Sequence, residues 1–294
     1  MNYTEQTVTF ACEQDTLAGI LAVPEIAAST GVIVIVGGPQ YRAGSHRQFV
    51  LLSRTLAAAG YPVLRFDYCG MGDSTGAQRD FTGVSADIAA AITTLQLKLP
   101  SVQRVALWGL CDGASAALLY CHDSQDPRVN GLCLLNPWVR SEASLARAHV
   151  KHYYADRIRQ KEFWAKLISG KVAISALTGL GRNLALVLRL SRQLSPTMEQ
   201  PFQQRMAAAG LRFDGSILLL LSGDDYTAKE FLEHAGVDAS WTELLARPNV
   251  ALMEIPDADH TFSASPFRTE VERETLDWLE LQKLRPQSYG TGKS

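Results

Sequence analysis

The sequence predicts an α/β fold, a mostly parallel sheet with helices on both faces and a helical lid insertion. Three observations predict it. Short, continuously apolar and β-branched runs, such as residues 31–36 and 216–221, read as strands covered on both faces. They alternate with stretches whose apolar residues fall at helical spacing, the rhythm of a parallel sheet with right-handed crossovers. Polar, glycine-bearing turns follow the strand ends, where open α/β sheets place their ligands.

Each element follows in turn. Residues 7–12 and 17–23 alternate in hydropathy around Glu13-Gln14-Asp15, which predicts an antiparallel hairpin at a sheet edge. Residues 31–36 form a central strand that ends at Gly37-Gly38-Pro39-Gln40. Over residues 45–59, Phe49, Leu52 and Leu56 sit at helical spacing, and Gly60 stops the helix. Residues 62–66 give the next strand, which runs into the turn Asp67-Tyr68-Cys69-Gly70-Met71-Gly72-Asp73-Ser74. A helix over 84–99 precedes the strand Val105-Ala106-Leu107-Trp108, and residues 129–135 form the strand that stops at Asn136-Pro137-Trp138.

The texture then changes. Residues 139–200 are rich in Arg, Lys, Tyr and Trp with helical periodicity and no convincing strand, which predicts an inserted helical lid of the kind that closes over substrate and excludes water. His149 and His152 fall within it and read as polar surface. The sheet resumes at 216–221, followed by a helix over 227–235, a last strand over 250–255 and a last helix over 266–284. The expected division is a first part of the core over 1–138, the lid over 139–200, a second part of the core over 201–284 and a flexible tail over 285–294.

Composition excludes several classes. Lys and Arg number 28 against 30 Asp and Glu, a net charge of −2, so the basic footprint of a nucleic-acid binder is missing. There is no basic-then-apolar leader and no apolar run long enough for a membrane span, from which we expect a cytoplasmic protein. The five cysteines (Cys12, Cys69, Cys111, Cys121, Cys133) are odd in number and without close paired spacing, so neither a disulfide framework nor a metal site is expected. What remains is reactivity at one of them.

That one is Cys111. In Gly109-Leu110-Cys111-Asp112-Gly113 an apolar strand stops, a glycine lies two residues away on each side of the cysteine, and small residues open a helix. A side chain at such a strand-to-helix turn is held strained and exposed. The helix N-terminus favours the thiolate, the attacking species. The competing readings are that Cys111 is a small buried hydrophobe, and that Ser115, one turn further on, is the nucleophile. In chain order the remaining candidates are an acid after strand 216–221 and a base after strand 250–255. Asp225 of Ser222-Gly223-Asp224-Asp225 is the preferred acid and Asp224 the alternative acid, with one of the two free to cap the following helix. His260 of Pro256-Asp257-Ala258-Asp259-His260 is the base. The backbone N–H groups of Asp112 and Gly38 are the expected oxyanion hole, with Gln40 the fallback because Pro39 has no N–H.

The Gly-x-Cys-x-Gly turn resembles the nucleophile elbow of α/β-hydrolases with sulfur in place of the usual oxygen, and the order nucleophile, acid, base is that of this fold. The segment 67–74 resembles the Asp-x-Arg-Gly-x-Gly-x-Ser loop of serine aminopeptidase-like and esterase-like members, with Cys69 where arginine is usual. Taken with Gly37-Gly38-Pro39-Gln40-Tyr41-Arg42 and Asn136-Pro137-Trp138-Val139-Arg140, these stretches resemble the exosortase A system-associated hydrolase 1 family over nearly the whole chain. The cysteine elbow is also similar to that of dienelactone hydrolases and, more distantly, polyhydroxyalkanoate synthases. The resemblance implies a bacterial enzyme near exopolysaccharide production or envelope assembly, without cofactor. The expected activity is hydrolysis of a carboxylic ester or thioester of a small-molecule acyl substrate. Acyl transfer by the same cysteine and a non-catalytic binding protein stay open, as does a homodimer.

Overall fold

The apolar strands are explained by what covers them. In the computed structural model, which describes residues 1–38, 40–140 and 200–284, eight strands form one sheet in the order β1-β2-β4-β3-β5-β6-β7-β8. They are β1 (Tyr3–Cys12), β2 (Asp15–Pro24), β3 (Thr30–Ile35), β4 (Val63–Phe66), β5 (Arg104–Leu110), β6 (Val129–Leu135), β7 (Ser216–Ser222) and β8 (Val250–Ile255). The first two pair antiparallel with each other, and β2 with β4; all other pairs are parallel.

Successive residues of a strand face opposite sides of the sheet, and both sides are dry here. On β3, Ile33 and Ile35 enter one apolar layer while Val32 and Val34 enter the other. Leu132 and Leu134 of β6 do the same against Cys133 and Leu135. One layer is closed by α2 (Ser85–Lys98), α3 (Asp112–Ser124), α4 (Phe202–Arg212), α5 (Tyr226–Val237) and α6 (Ala239–Leu245). The other is closed by α1 (Gln48–Ala58) and α7 (Ser265–Leu284). This is the predicted fold class.

Three features depart from expectation. The helix expected over 45–59 starts late: Ser45–Arg47 is a single 3₁₀ turn with His46 and Arg47 at positive φ, and α1 begins at Gln48. Helix α4 lies at the border of the expected insertion, its Met206, Ala207 and Ala209 buried. Helix α6 has only seven residues and is anchored by Trp241, which is fully buried, and by Asp238, whose carboxylate accepts from Ser240 N–H at 2.9 Å and Trp241 N–H at 3.2 Å.

By its contacts the chain divides into Met1–Val139 with Phe202–Ser294 and, separately, Arg140–Pro201. The expected lid over 139–200, His149 and His152 included, lies outside the described residues except for 139, 140 and 200, and so does the tail 285–294. Among the described residues no helix is long and apolar enough to cross a membrane.

Candidate active site

The strand order puts β5 near the middle of the sheet, and Cys111 stands where it ends. Its φ of 59° and ψ of −124° are costly for a residue with a Cβ, and α3 starts at the next residue. The turn is so tight that a Cβ on Gly109 would lie 2.5 Å from the Gly113 carbonyl oxygen, and one on Gly113 would lie 2.5 Å from that of Ile35. Hence the glycine on each side. Cys111 N–H donates to the Leu135 carbonyl at 2.8 Å, and its own carbonyl accepts from Ala114 N–H at 3.1 Å and Trp138 N–H at 3.3 Å. Cys111 is half-buried, whereas Cys12, Cys69 and Cys133 are fully buried.

Ser115, the rival reading, lies one turn inside α3. It is completely buried and its hydroxyl donates to the Trp138 carbonyl at 2.7 Å.

At the same carboxyl-terminal edge of the parallel strands, beyond β7 and β8, Asp225 and His260 meet: Nδ1 of His260 lies 2.8 Å from Oδ2 of Asp225. The hydrogen bond to Asp225 first, and that to the Cys111 thiol second, push the histidine up to about 10 against the opposing effect of burial. With Nδ1 engaged by the acid, Nε2 is the ring nitrogen left for Cys111. The side chain of the alternative acid, Asp224, is 81 % exposed and lies 3.6 Å from Lys229. Asp225 also performs the capping job that sequence reading divided between the two, accepting from Thr227 N–H at 3.2 Å and Ala228 N–H at 3.0 Å at the start of α5. Burial pushes the Asp225 carboxyl up, but His260 and these two amides outweigh it and hold it below the ordinary carboxylate range.

Asn136, which sequence reading noted only as the end of a strand, aligns the loop of the histidine. Fully buried at φ 44°, it donates from Nδ2 to Ser222 Oγ at 2.8 Å and to the His260 carbonyl at 3.1 Å, and it accepts from Ser222 N–H at 2.8 Å. The ends of β6 and β7 and the histidine loop are thus fastened at one point. No local pattern announces this; the signal is an Asn-Pro directly after an apolar strand.

The expected oxyanion donors are adjacent, but one is engaged. Gly38, at φ 59°, donates its N–H to Oδ1 of Asp112 at 2.5 Å, so the expected donor is taken up by the side chain of the residue after Cys111. Burial pushes the Asp112 carboxyl up, opposed by the N–H groups of Gly38, Asp112 and Gly113 and by the charge of His260. The fallback residue, Gln40, uses its side-chain oxygen to accept from Ser45 N–H at 3.0 Å.

The loop 67–74 is anchored by an arginine despite Cys69. Arg42 supplies it from the segment after β3: its guanidinium pairs with the buried Asp67 and with Asp73, and its N–H donates to Asp67 at 2.6 Å. Cys69 turns inward instead. Its thiol and that of Cys12 donate to Oδ1 of the buried Asp87 at 3.4 and 3.2 Å, and Cys69 N–H donates to Oδ2 at 3.0 Å. These three side chains form the one group among the described residues with ligand atoms close enough to share a metal ion. Burial first and Asp87 next raise both thiols, Cys69 to about 11.

Residues 27–185, more than half of the chain, match the family model described as serine aminopeptidase, S33. Among solved structures the chain is similar to the Pyrococcus furiosus esterase Pf2001, with a TM-score of 0.62 and 17% identity over 95% of this chain and 93% of that one. It is similar to dienelactone hydrolase from Anabaena variabilis at TM-score 0.61 and 15% identity, over 96% of this chain and 99% of the other. It is also similar to Est1E from Butyrivibrio proteoclasticus, solved with ferulic acid bound, at TM-score 0.60 and 15% identity, over 95% and 100%. At these identities the likeness is one of fold. No curated protein matches the chain.

Proposed function

Because the chain belongs to the serine aminopeptidase, S33, family of α/β-fold hydrolases, we propose that it cleaves a carboxylic ester or thioester through Cys111, His260 and Asp225. The observation that carries the reading is the 2.8 Å contact between His260 Nδ1 and Asp225, which leaves the other ring nitrogen for the half-buried thiol that also raises this histidine. The esterases and the dienelactone hydrolase among its structural neighbours fit the same chemistry.

The steps follow from the geometry. The proton that Cys111 gives up resides on His260 Nε2, in keeping with a histidine raised to about 10, and Asp225 stabilises that imidazolium. The sulfur attacks the acyl carbon, an S–C bond forms, and the carbonyl electron pair moves onto oxygen. The N–H groups of Asp112 and Gly38 meet that charge; a donor of this kind is typically worth about 2.7 to 4 kcal/mol. As the tetrahedral species collapses, the bond to the alcohol or thiol breaks and His260 returns its proton to the leaving group. Water, deprotonated by the same imidazole, then releases the acid and restores the thiol.

The resemblance to the exosortase A system-associated hydrolase 1 family supports placing this activity in the bacterial cytoplasm near exopolysaccharide assembly, on a small acylated substrate. The test is to screen nitrophenyl esters and coenzyme A thioesters of increasing chain length, with intact-protein mass spectrometry after quenching. The expected result is turnover with an acyl adduct on Cys111, absent from Cys111→Ala. Turnover that survives in Cys111→Ala refutes the assignment.

A further inference from the structure

The hydrogen bond from Gly38 N–H to Asp112 has a consequence for how the site opens. An N–H group makes one strong hydrogen bond, and this one goes to the carboxylate of the residue that follows the nucleophile. The reading of Cys111 as an acyl carrier, on which this inference rests, needs the same N–H for the substrate's oxyanion. Two negative groups cannot share it. The carboxylate therefore has to leave before the tetrahedral species forms.

A second observation indicates where it goes. Tyr68, on the loop after β4, is 96 % buried, and its hydroxyl has no hydrogen-bond partner. A buried hydroxyl without a partner is costly, and such exceptions need an explanation. After burial itself, the charge that acts most strongly on this hydroxyl is that of Asp112, followed by that of Asp87. Asp87 is already engaged by two thiols, an amide and Arg79. Asp112 is held by backbone amides that an incoming substrate competes for.

We propose that the Asp112 carboxylate is a built-in occupant of the oxyanion hole, holding Gly38 N–H in the free protein and moving to the Tyr68 hydroxyl when an acyl group enters. Asp112 then sets which substrates react. A small activated ester brings little binding energy with which to displace the carboxylate and acylates Cys111 slowly; an acyl group that fills the site displaces it and acylates fast. Tyr68 acts as a positioning residue through Asp112, and no bond to substrate is assigned to it.

The experiment compares two reactions of Cys111 in the full chain, each followed by intact-protein mass spectrometry. Acylation by p-nitrophenyl acetate passes through an oxyanion and releases p-nitrophenolate. Alkylation by iodoacetamide displaces iodide and develops no oxyanion, so it reports the thiol alone. In Asp112→Ala the ratio of acylation to alkylation rates is expected to rise about tenfold, part of what a freed donor is worth. In Asp112→Asn, a near-isosteric change that guards against loss of folding in the alanine variant, it rises by less. In Tyr68→Phe the ratio falls several-fold, while the melting temperature does not drop, because an unpaired hydroxyl has been removed. An unchanged ratio in both Asp112 variants overturns the proposal and leaves the triad reading intact. Alkylation of Cys111 without acylation in any of these proteins overturns the acyl-enzyme reading and this proposal with it.

Discussion

Asp225 has two jobs, and its substitutions should separate them. Its carboxylate caps α5 through Thr227 and Ala228 N–H and holds His260 Nδ1 at 2.8 Å. Asn caps a helix about as well as Asp, whereas Ala forfeits about 1 kcal/mol, or roughly 2–4 °C of melting temperature for a body of this size. The histidine contact behaves differently because it depends on charge. Raised to about 10 in the folded chain, with Asp225 the first cause, His260 contributes stability that is fully present below its unfolded value near 6.5. That contribution is lost as pH rises through about 10. The lowered Asp225 carboxyl acts at the opposite end, its contribution being lost only as pH falls through the acid range. Asp225→Asn is therefore expected to melt below the wild type at pH 6 and together with it above pH 10. Asp225→Ala should stay lower at both. For turnover, removing the acid's charge in a serine triad costs about 10⁴-fold; a thiol ionises more readily, so a loss of about 10²–10³-fold is expected here. Nitrophenyl ester hydrolysis and melting followed by circular dichroism across pH 6–10.5 provide the readouts, with Asp224→Asn as the control near wild type in both. Wild-type turnover in Asp225→Asn, or an equal loss in Asp224→Asn, would refute the assignment.

The other predictions concern how the elbow and its surroundings are held. Ser115→Ala should keep turnover and lose about 1 kcal/mol of stability, the worth of one buried hydrogen bond, by denaturant titration; Cys111→Ala should do the reverse. Gly113→Ala drives a methyl to within 2.5 Å of the Ile35 carbonyl, a backbone atom that cannot swing aside. It should cost about 1–3 kcal/mol and lower Cys111 alkylation in the folded fraction. Arg42→Ala leaves the Asp67 carboxylate, fully buried, without its cation and should destabilise by about 3 kcal/mol, read by denaturant titration.

The sequence carried the sheet because strand positions covered on both faces must be apolar, and residues 32–35 of β3, 132–135 of β6 and 217–221 of β7 are. It carried the elbow because steric exclusion at Gly109 and Gly113 leaves a mark on both sides of Cys111. What it did not carry depends on partners distant in the chain. Asp224 and Asp225 are alike to any local rule, and His260, 35 residues away, separates them. Arg42 stands where no motif expects an anchor for the loop 67–74. Gly38 was expected as a donor, which is a property of its backbone, but its engagement by Asp112 is a property of packing. The short α6 escaped because its stability rests on Trp241, and burial of one tryptophan has no period.

Asn136 has a further consequence for the motion of the site. Loops that carry histidines over a sheet usually open far more often than the strands beneath them, because little beyond local contacts restrains them. Here the carbonyl of His260 and the amide and hydroxyl of Ser222 are fastened to one side chain that never meets solvent. The imidazole of His260 therefore inherits the slow breathing of the central strands, and deuterium should enter the Ser222 amide at the pace of the sheet.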